Sequence, residues 1–163
     1  MQRIWCSLDT DDIHHHPNIC GHPSRSKDTP WPQNHTPRTM SERLNQGFDG
    51  FERWWSSQSE DSRITLFVVG EQLEDSNFTQ RLQNLIGLRS GITIGVHGWH
   101  HICWSAWAPR PDEFKSMIEK SIEHISSTVG SVFRPWFRAP GGYIAPWMAP
   151  VLASVGISMD SSV

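Results

Sequence analysis

The segment ITIGVHGWHH, residues 92–101, joins an apolar run to a cluster of histidines. Its first half has the β-branched, apolar character of a strand that is buried on both faces. His97 and His101 then stand four residues apart, a spacing that suits two ligands of one metal ion. Nine histidines among 163 residues would produce about half of such a pair by chance, so the spacing alone is weak evidence. The sequence around this segment is therefore needed to judge whether His97 and His101 bind one metal ion.

Strand-like and helix-like patterns alternate around this segment. Residues 63–70 form a second continuous apolar run, and residues 110–130 show apolar side chains at helical spacing with Gly130 at the end. The predicted strands are 3–9, 63–70, 91–98, 135–140 and 157–163, and the predicted helices are 40–57, 77–88, 110–130 and 145–156. This order predicts an α/β fold whose parallel strands are joined by helical crossovers.

Composition limits the classes of protein that this chain can represent. A length of 163 residues suits one domain, and residues 12–40 read as a long Pro- and His-rich loop inserted into it. A net charge of −3 with scattered Lys and Arg gives no basic surface for nucleic acid. No apolar stretch is long enough for a membrane span. No signal peptide is visible at the N-terminus, which predicts a cytoplasmic protein by default.

Polar side chains follow three of the predicted strands. Asp9 and Asp11 close the first strand, His97 and His101 follow the third, and Arg138 follows the fourth. Because parallel strands present their carboxyl ends at one edge, these side chains are expected to meet there. Two imidazoles and one carboxylate make a three-ligand site for a catalytic divalent metal. The second carboxylate can take a proton from water, with a guanidinium holding it ionised.

Several neighbouring residues have a structural interpretation beside the functional one. Nine tryptophans are unusual, and packing is the simpler explanation for most of them. Trp99 and Trp104 stand close enough to the histidines to be candidates for stacking on a sugar. Asp12 is interpreted as a solvated neighbour of Asp11. If the strand were shifted by one residue, Asp12 would take the place of Asp11 as the metal ligand. His14, His15 and His16 cannot all face one ion, and they are interpreted as loop residues.

Five ordered motifs together resemble the polysaccharide deacetylase family, which carries the NodB homology domain and forms carbohydrate esterase family 4. They are SLDTDD, ITLFVVGE, ITIGVHGWHH, WFRAPGGY and VGISMDSSV. The resemblance covers nearly the whole chain apart from residues 12–40. It implies a distorted (β/α) barrel, one divalent metal ion, with Zn²⁺ expected and Co²⁺ or Ni²⁺ as alternatives, and a carbohydrate or other N-acylated substrate.

The resemblance also assigns roles to individual residues. It makes Asp9 the general base and Arg138 its support. The metal ligands that it implies are Asp11, His97 and His101. The substrate site that it implies includes Pro140 of the Arg-x-Pro motif and Gly141, which stands where many members have Tyr and whose backbone N–H would stabilise the oxyanion. Trp99, Trp104 and Tyr143 complete the predicted substrate-binding set.

The family pattern continues beyond the motifs present in residues 1–163. Members of the family add further strands, one of which carries a histidine acting as general acid. Five strands cannot close a barrel, so the chain is expected to form one NodB-like domain that lacks its C-terminal part. The exposed edge at residues 157–163 is then a possible surface for homo-oligomers.

Three functions remain open from the sequence. The first is metal-dependent removal of an N-acyl group, expected to be N-acetyl, from an amino sugar or polysaccharide. The second keeps that chemistry but acts on lipid-linked amino sugars or cyclic amides. The third is a non-catalytic remnant that binds metal and carbohydrate.

Overall fold

The computed structural model describes residues 5–27, 30–31 and 38–163. Within them the chain alternates strands and helices in the predicted order. The strands are β1 (Cys6–Asp9), β2 (Ile64–Val68), β3 (Ile92–Val96), β4 (Phe133–Phe137) and β5 (Met159–Asp160). The helices are α1 (Glu42–Ser56), α2 (Ser76–Leu88), α3 (Pro111–Val129) and α4 (Met148–Ser154).

All five strands form one parallel sheet in the order β1-β2-β3-β4-β5. Each strand therefore pairs with its successor in the sequence, and the helices α1 to α4 form part of the connections between them. The predicted α/β class with parallel strands is confirmed. The sheet curls into a half-barrel with β1 and β5 as its two edges, so the carboxyl ends of all the strands lie on one rim.

Local sequence explains where the helices begin and end. The Ser41 hydroxyl caps α1 by accepting a hydrogen bond from the backbone N–H of Leu44 at 3.1 Å. Pro111 opens α3, and Gly130 ends it with a positive φ of 60°. The apolar face of α3 packs onto the sheet, where Phe114 is fully buried. Its ring meets three aromatic rings at centroid distances of 5.4 to 6.1 Å, those of Trp104, Phe137 and Trp147.

Every strand differs from its predicted bounds by at least one residue, and β4 and β5 differ in the most informative way. β4 starts at Phe133 rather than at Pro135, because an irregularity in its pairing with β3 accommodates the proline, which has no N–H to donate. β5 is only two residues long. Directly after it, the Ser161 hydroxyl accepts a hydrogen bond from Nε of Arg138, and the Ser162 hydroxyl accepts one from the backbone N–H of Ala139.

Part of the predicted loop at residues 12–40 lies outside the described residues. The described part begins with a 3-10 turn at Ile13–His15. Across the described residues, no helix is both long enough and apolar enough to cross a membrane.

Candidate metal centre

Three metal-ligating side chains meet at the rim of the half-barrel. Asp11 follows β1, and His97 and His101 lie in the loop after β3. The Nε2 atoms of His97 and His101 each lie 4.0 Å from an oxygen of Asp11. One donor atom from each of the three residues falls within 4.8 Å of the others. The three side chains therefore face a common point.

This arrangement fits a divalent cation. Two donors bound at about 2.1 Å to a tetrahedral ion lie about 3.4 Å apart, so these side chains need to move by less than about 1 Å each. Nδ1 of His97 lies 2.8 Å from the backbone oxygen of Arg138. Nδ1 therefore carries the ring proton and donates a hydrogen bond to that oxygen. The Nε2 lone pair of His97 is thereby directed at the shared point, as a metal ligand requires.

Burial keeps both imidazoles neutral, which is the protonation state that binds metal. Desolvation lowers the pKa of His97 to about 4 and that of His101 to about 3. Nδ1 of His101 is buried and makes no hydrogen bond within the described chain. His101 also has a φ of 50°, a left-handed conformation that is uncommon for a residue other than glycine. Such strain is typical of positions that function constrains.

Asp9 lies beside this cluster and pairs with Arg138, the residue after β4. Nη1 of Arg138 donates to Oδ1 of Asp9 at 2.9 Å, and Oδ2 of Asp9 lies 4.0 Å from Nε2 of His97. Burial raises the pKa of the Asp9 carboxyl, and the Arg138 charge opposes that rise. The remaining guanidinium donors bind Ser7 at 2.7 Å and Ser161 at 3.0 Å. Arg138 thus ties β1 to the end of β5 across the half-barrel.

Asp12 has a different role from Asp11. Its carboxylate accepts hydrogen bonds from the backbone N–H groups of Ile13, at 2.6 Å, and Ser41, at 2.7 Å, and from the Ser41 hydroxyl. It therefore caps the 3-10 turn and joins that turn to the start of α1. The structure points Asp11, rather than Asp12, at the histidines.

The predicted substrate-binding residues separate into two groups. Trp99 and Trp104 are only 2% exposed, so neither has a free face for stacking on a sugar, and that expectation is corrected. Both side chains pack in the interior. Trp99 contacts Gly70, and the ring of Trp104 contacts the ring of Phe114. Sequence alone cannot distinguish such a tryptophan from one in a cleft, because both follow a strand.

The other predicted substrate residues lie in the loop after β4. Pro140 is buried against Gly98, whereas Gly141 is exposed and has a φ of 77°. Within the described chain the backbone N–H of Gly141 makes no hydrogen bond, so it can donate to a ligand. Tyr143 is 66% exposed.

A buried charged group near the histidines was not predicted. Glu71 follows β2, and its carboxylate contacts His15 and His100. Burial alone would raise the pKa of Glu71, but hydrogen bonds from His100 and His15 hold it well below its usual range. Its position at the carboxyl end of a strand, on the same rim as Asp9 and His97, is the signal that could have identified it.

The chain matches one family model and several solved structures. The family model for polysaccharide deacetylase matches residues 57–159. A candidate polysaccharide deacetylase from Mycobacterium smegmatis is 16% identical with a TM-score of 0.65, over 96% of this chain and 49% of that one. A family 4 carbohydrate esterase from Streptomyces lividans, in complex with acetate, is 16% identical with a TM-score of 0.53, over 73% and 55%. A pseudoenzyme of that family from Bacillus anthracis is 13% identical with a TM-score of 0.59, over 81% and 50%.

These likenesses concern the fold. At such identities the solved structures confirm the predicted half-barrel of the (β/α) type, and the chain spans about half the length of each. No curated protein sequence matches this chain.

Proposed function

Because this chain belongs to the polysaccharide deacetylase family, we propose that it is a metal-dependent hydrolase that removes an N-acetyl group from an amino sugar or its polymer. One observation carries the proposal: three ligand side chains converge beside a carboxylate that is paired with arginine. The acetate bound to the esterase from Streptomyces lividans supports N-acetyl as the group removed.

The ligands in this proposal are Asp11, His97 and His101, which would hold one divalent ion, with Zn²⁺ expected. When bound, such an ion polarises an amide carbonyl and lowers the pKa of a water molecule. Asp9 accepts the proton of the attacking water on Oδ2, since its Oδ1 is occupied by Arg138. The backbone N–H of Gly141 donates to the oxygen on which negative charge develops. Tyr143, which is exposed, contributes to the rim of the substrate site.

Arg138 has two positioning roles in this proposal. Its guanidinium orients Asp9 and favours the ionised carboxylate that a base requires. Its backbone oxygen accepts a hydrogen bond from Nδ1–H of His97 and so sets the tautomer of a proposed ligand. One residue thereby aligns the base with the metal centre.

A second candidate function is binding of metal and carbohydrate without catalysis. The observation that favours it is the similarity to a pseudoenzyme from Bacillus anthracis. In this case the three ligands keep their role, while acetate is not released.

The test is acetate release from chitooligosaccharides, with Zn²⁺ or Co²⁺ added and after removal by a chelator. We expect metal-dependent release, and a fall by a factor on the order of 10² or more in Asp9→Asn, with metal binding retained. Asp61→Asn, at an exposed turn residue, is the matched control. Lipid-linked amino sugars and cyclic amides assayed in parallel distinguish the substrate classes.

Each alternative result has a distinct meaning. Metal binding without turnover of any substrate favours the non-catalytic function. Normal turnover by Asp9→Asn removes Asp9 from the role of base. Failure to bind either metal contradicts the proposal as a whole.

A further inference from the structure

We propose that Glu71 is a positioning residue of the metal centre, holding two imidazoles that flank the ligand His101. The inference rests on the proposed function in one respect, namely that Asp11, His97 and His101 bind a divalent ion. It adds a role for Glu71, the last residue of the ITLFVVGE motif, to which the family resemblance assigned none.

Glu71 lies in the first turn after β2 and is only 4% exposed. One carboxylate oxygen, Oε1, is 3.1 Å from Nε2 of His15, in the segment after β1. The other, Oε2, is 2.9 Å from Nδ1 of His100, in the loop after β3. A single buried carboxylate therefore connects the segments that follow three adjacent strands.

The direction of the hydrogen bond from His15 follows from its other nitrogen. The backbone N–H of Asp12 donates to Nδ1 of His15 at 2.9 Å. Nδ1 is thus an acceptor, and the ring proton sits on Nε2, which donates to Glu71. Since His15 is buried, losing that acceptor would leave an unsatisfied donor. The His15 ring is fixed from both sides.

These contacts reach the ligand His101 by two routes. The ring of His15 lies against the ring of His101, with centroids 5.8 Å apart and planes tilted by 33°. His100 immediately precedes His101, whose backbone has the left-handed φ of 50°. A conformation that is rarely populated persists only when its surroundings hold it.

The backbone at Glu71 supports the same loop. The N–H of Glu71 donates to the oxygen of Trp99 at 3.0 Å, and the N–H of Gly70 donates to the oxygen of Gly98 at 2.9 Å. Side chain and backbone together hold the loop from residue 98 to residue 100, between the two histidine ligands. We therefore expect the Glu71 side chain to control the affinity and geometry of the metal site.

The experiment compares Glu71→Met, which keeps the length of the side chain but removes both acceptor oxygens, with Glu71→Gln. An amide can still accept from His15 and donate to His100. Glu74→Met is the matched control, because Glu74 is exposed on the same turn. The readouts are the Co²⁺ dissociation constant by chelator competition, the visible absorption spectrum of bound Co²⁺, and thermal unfolding of the metal-free protein.

Glu71→Met should weaken Co²⁺ binding by about 10- to 100-fold and alter the Co²⁺ spectrum, as expected for loss of an outer-shell partner. Glu71→Gln should recover most of the affinity, and Glu74→Met should match the parent. If metal-free Glu71→Met is unfolded, His100→Ala takes its place. This variant removes one of the two histidine contacts of Glu71 at a less buried side chain, and Co²⁺ affinity should fall by about 10-fold.

Three results would overturn the proposal. One is parental affinity and spectrum in Glu71→Met, or in His100→Ala where that variant replaces it. Another is a defect in Glu71→Gln as large as that in Glu71→Met, which would show that charge matters rather than hydrogen bonding. The last is a parent that binds no Co²⁺, which removes the proposed metal centre as well and is thereby distinguished from the other two.

Discussion

Replacing Arg138 by methionine should move the acidic limb of the pH–rate profile to higher pH. Methionine keeps much of the apolar stem but removes every hydrogen-bond donor of the guanidinium. Asp9 then loses its partner at 2.9 Å, and Ser7 and Ser161 lose theirs. Asp9, the proposed base, remains on β1, but the positive charge that favours its ionised form is gone.

The direction of the change follows from the two influences on Asp9. Burial raises the pKa of its carboxyl, and Arg138 opposes that rise. The Asp9 side chain is 31% exposed, so solvent weakens the influence of the Arg138 charge without removing it. Without Arg138 the raising influence of burial is no longer opposed by that charge, so the pKa rises further.

Because the pKa of Asp9 should rise, the assay has to follow activity at acidic pH. A general base works only when ionised, so activity is lost as the pH falls through the pKa of Asp9. In Arg138→Met this loss should begin at a higher pH than in the parent. The measurement is kcat/KM for acetate release across the acid range, with Co²⁺ or Zn²⁺ saturating. Arg134→Met is the control, because Arg134 is exposed on β4 and bonds only to backbone oxygens.

An acidic limb at the same pH in parent and Arg138→Met would refute this reasoning. It would mean either that another group is the base or that Arg138 does not influence Asp9. A limb that moves equally in Arg134→Met would show a general effect of lost positive charge.

Two further predictions concern the packing that supports the site. Phe114→Ala should lower the free energy of unfolding by about 3–5 kcal/mol in urea titrations, because a fully buried ring that contacts three other aromatic rings is lost. A loss no larger than that in Leu88→Ala, which is 51% exposed, would contradict it. Gly95→Ala should cost about 1–3 kcal/mol in the same titration, since the added Cβ would lie 2.8 Å from the Phe67 ring. Unchanged stability would show that the ring moves freely.

Most of the fold could be predicted from local sequence. Continuous apolar runs identified β2 and β3, and apolar spacing with Gly130 at its end identified α3. These features are local, because hydrophobic periodicity and end signals act within one element. The alternation of strand and helix then predicted parallel pairing, and the structure confirms it.

The rim of polar residues could also be located from the sequence, because the carboxyl ends of parallel strands share one edge. That rule brought Asp9, His97 and Arg138 together although they are far apart in the chain. It could not identify which aspartate faces the histidines, because Asp11 and Asp12 are adjacent and chemically alike. Tertiary contacts separate them: Ser41, which is 29 residues from Asp12, binds its carboxylate.

The burial of Trp99 and Trp104 and the contacts of Glu71 were decided by tertiary structure alone. Trp99 is covered by Gly70, in the turn after β2, and by Lys120 of α3, and no local pattern in the sequence predicts these contacts. Glu71 contacts His15, from which it is separated by 56 positions in the sequence, and His100, which is 29 positions away. Sequence periodicity determines which faces of an element are apolar. Only the packing of separate elements determines which polar groups become each other's partners once water is excluded.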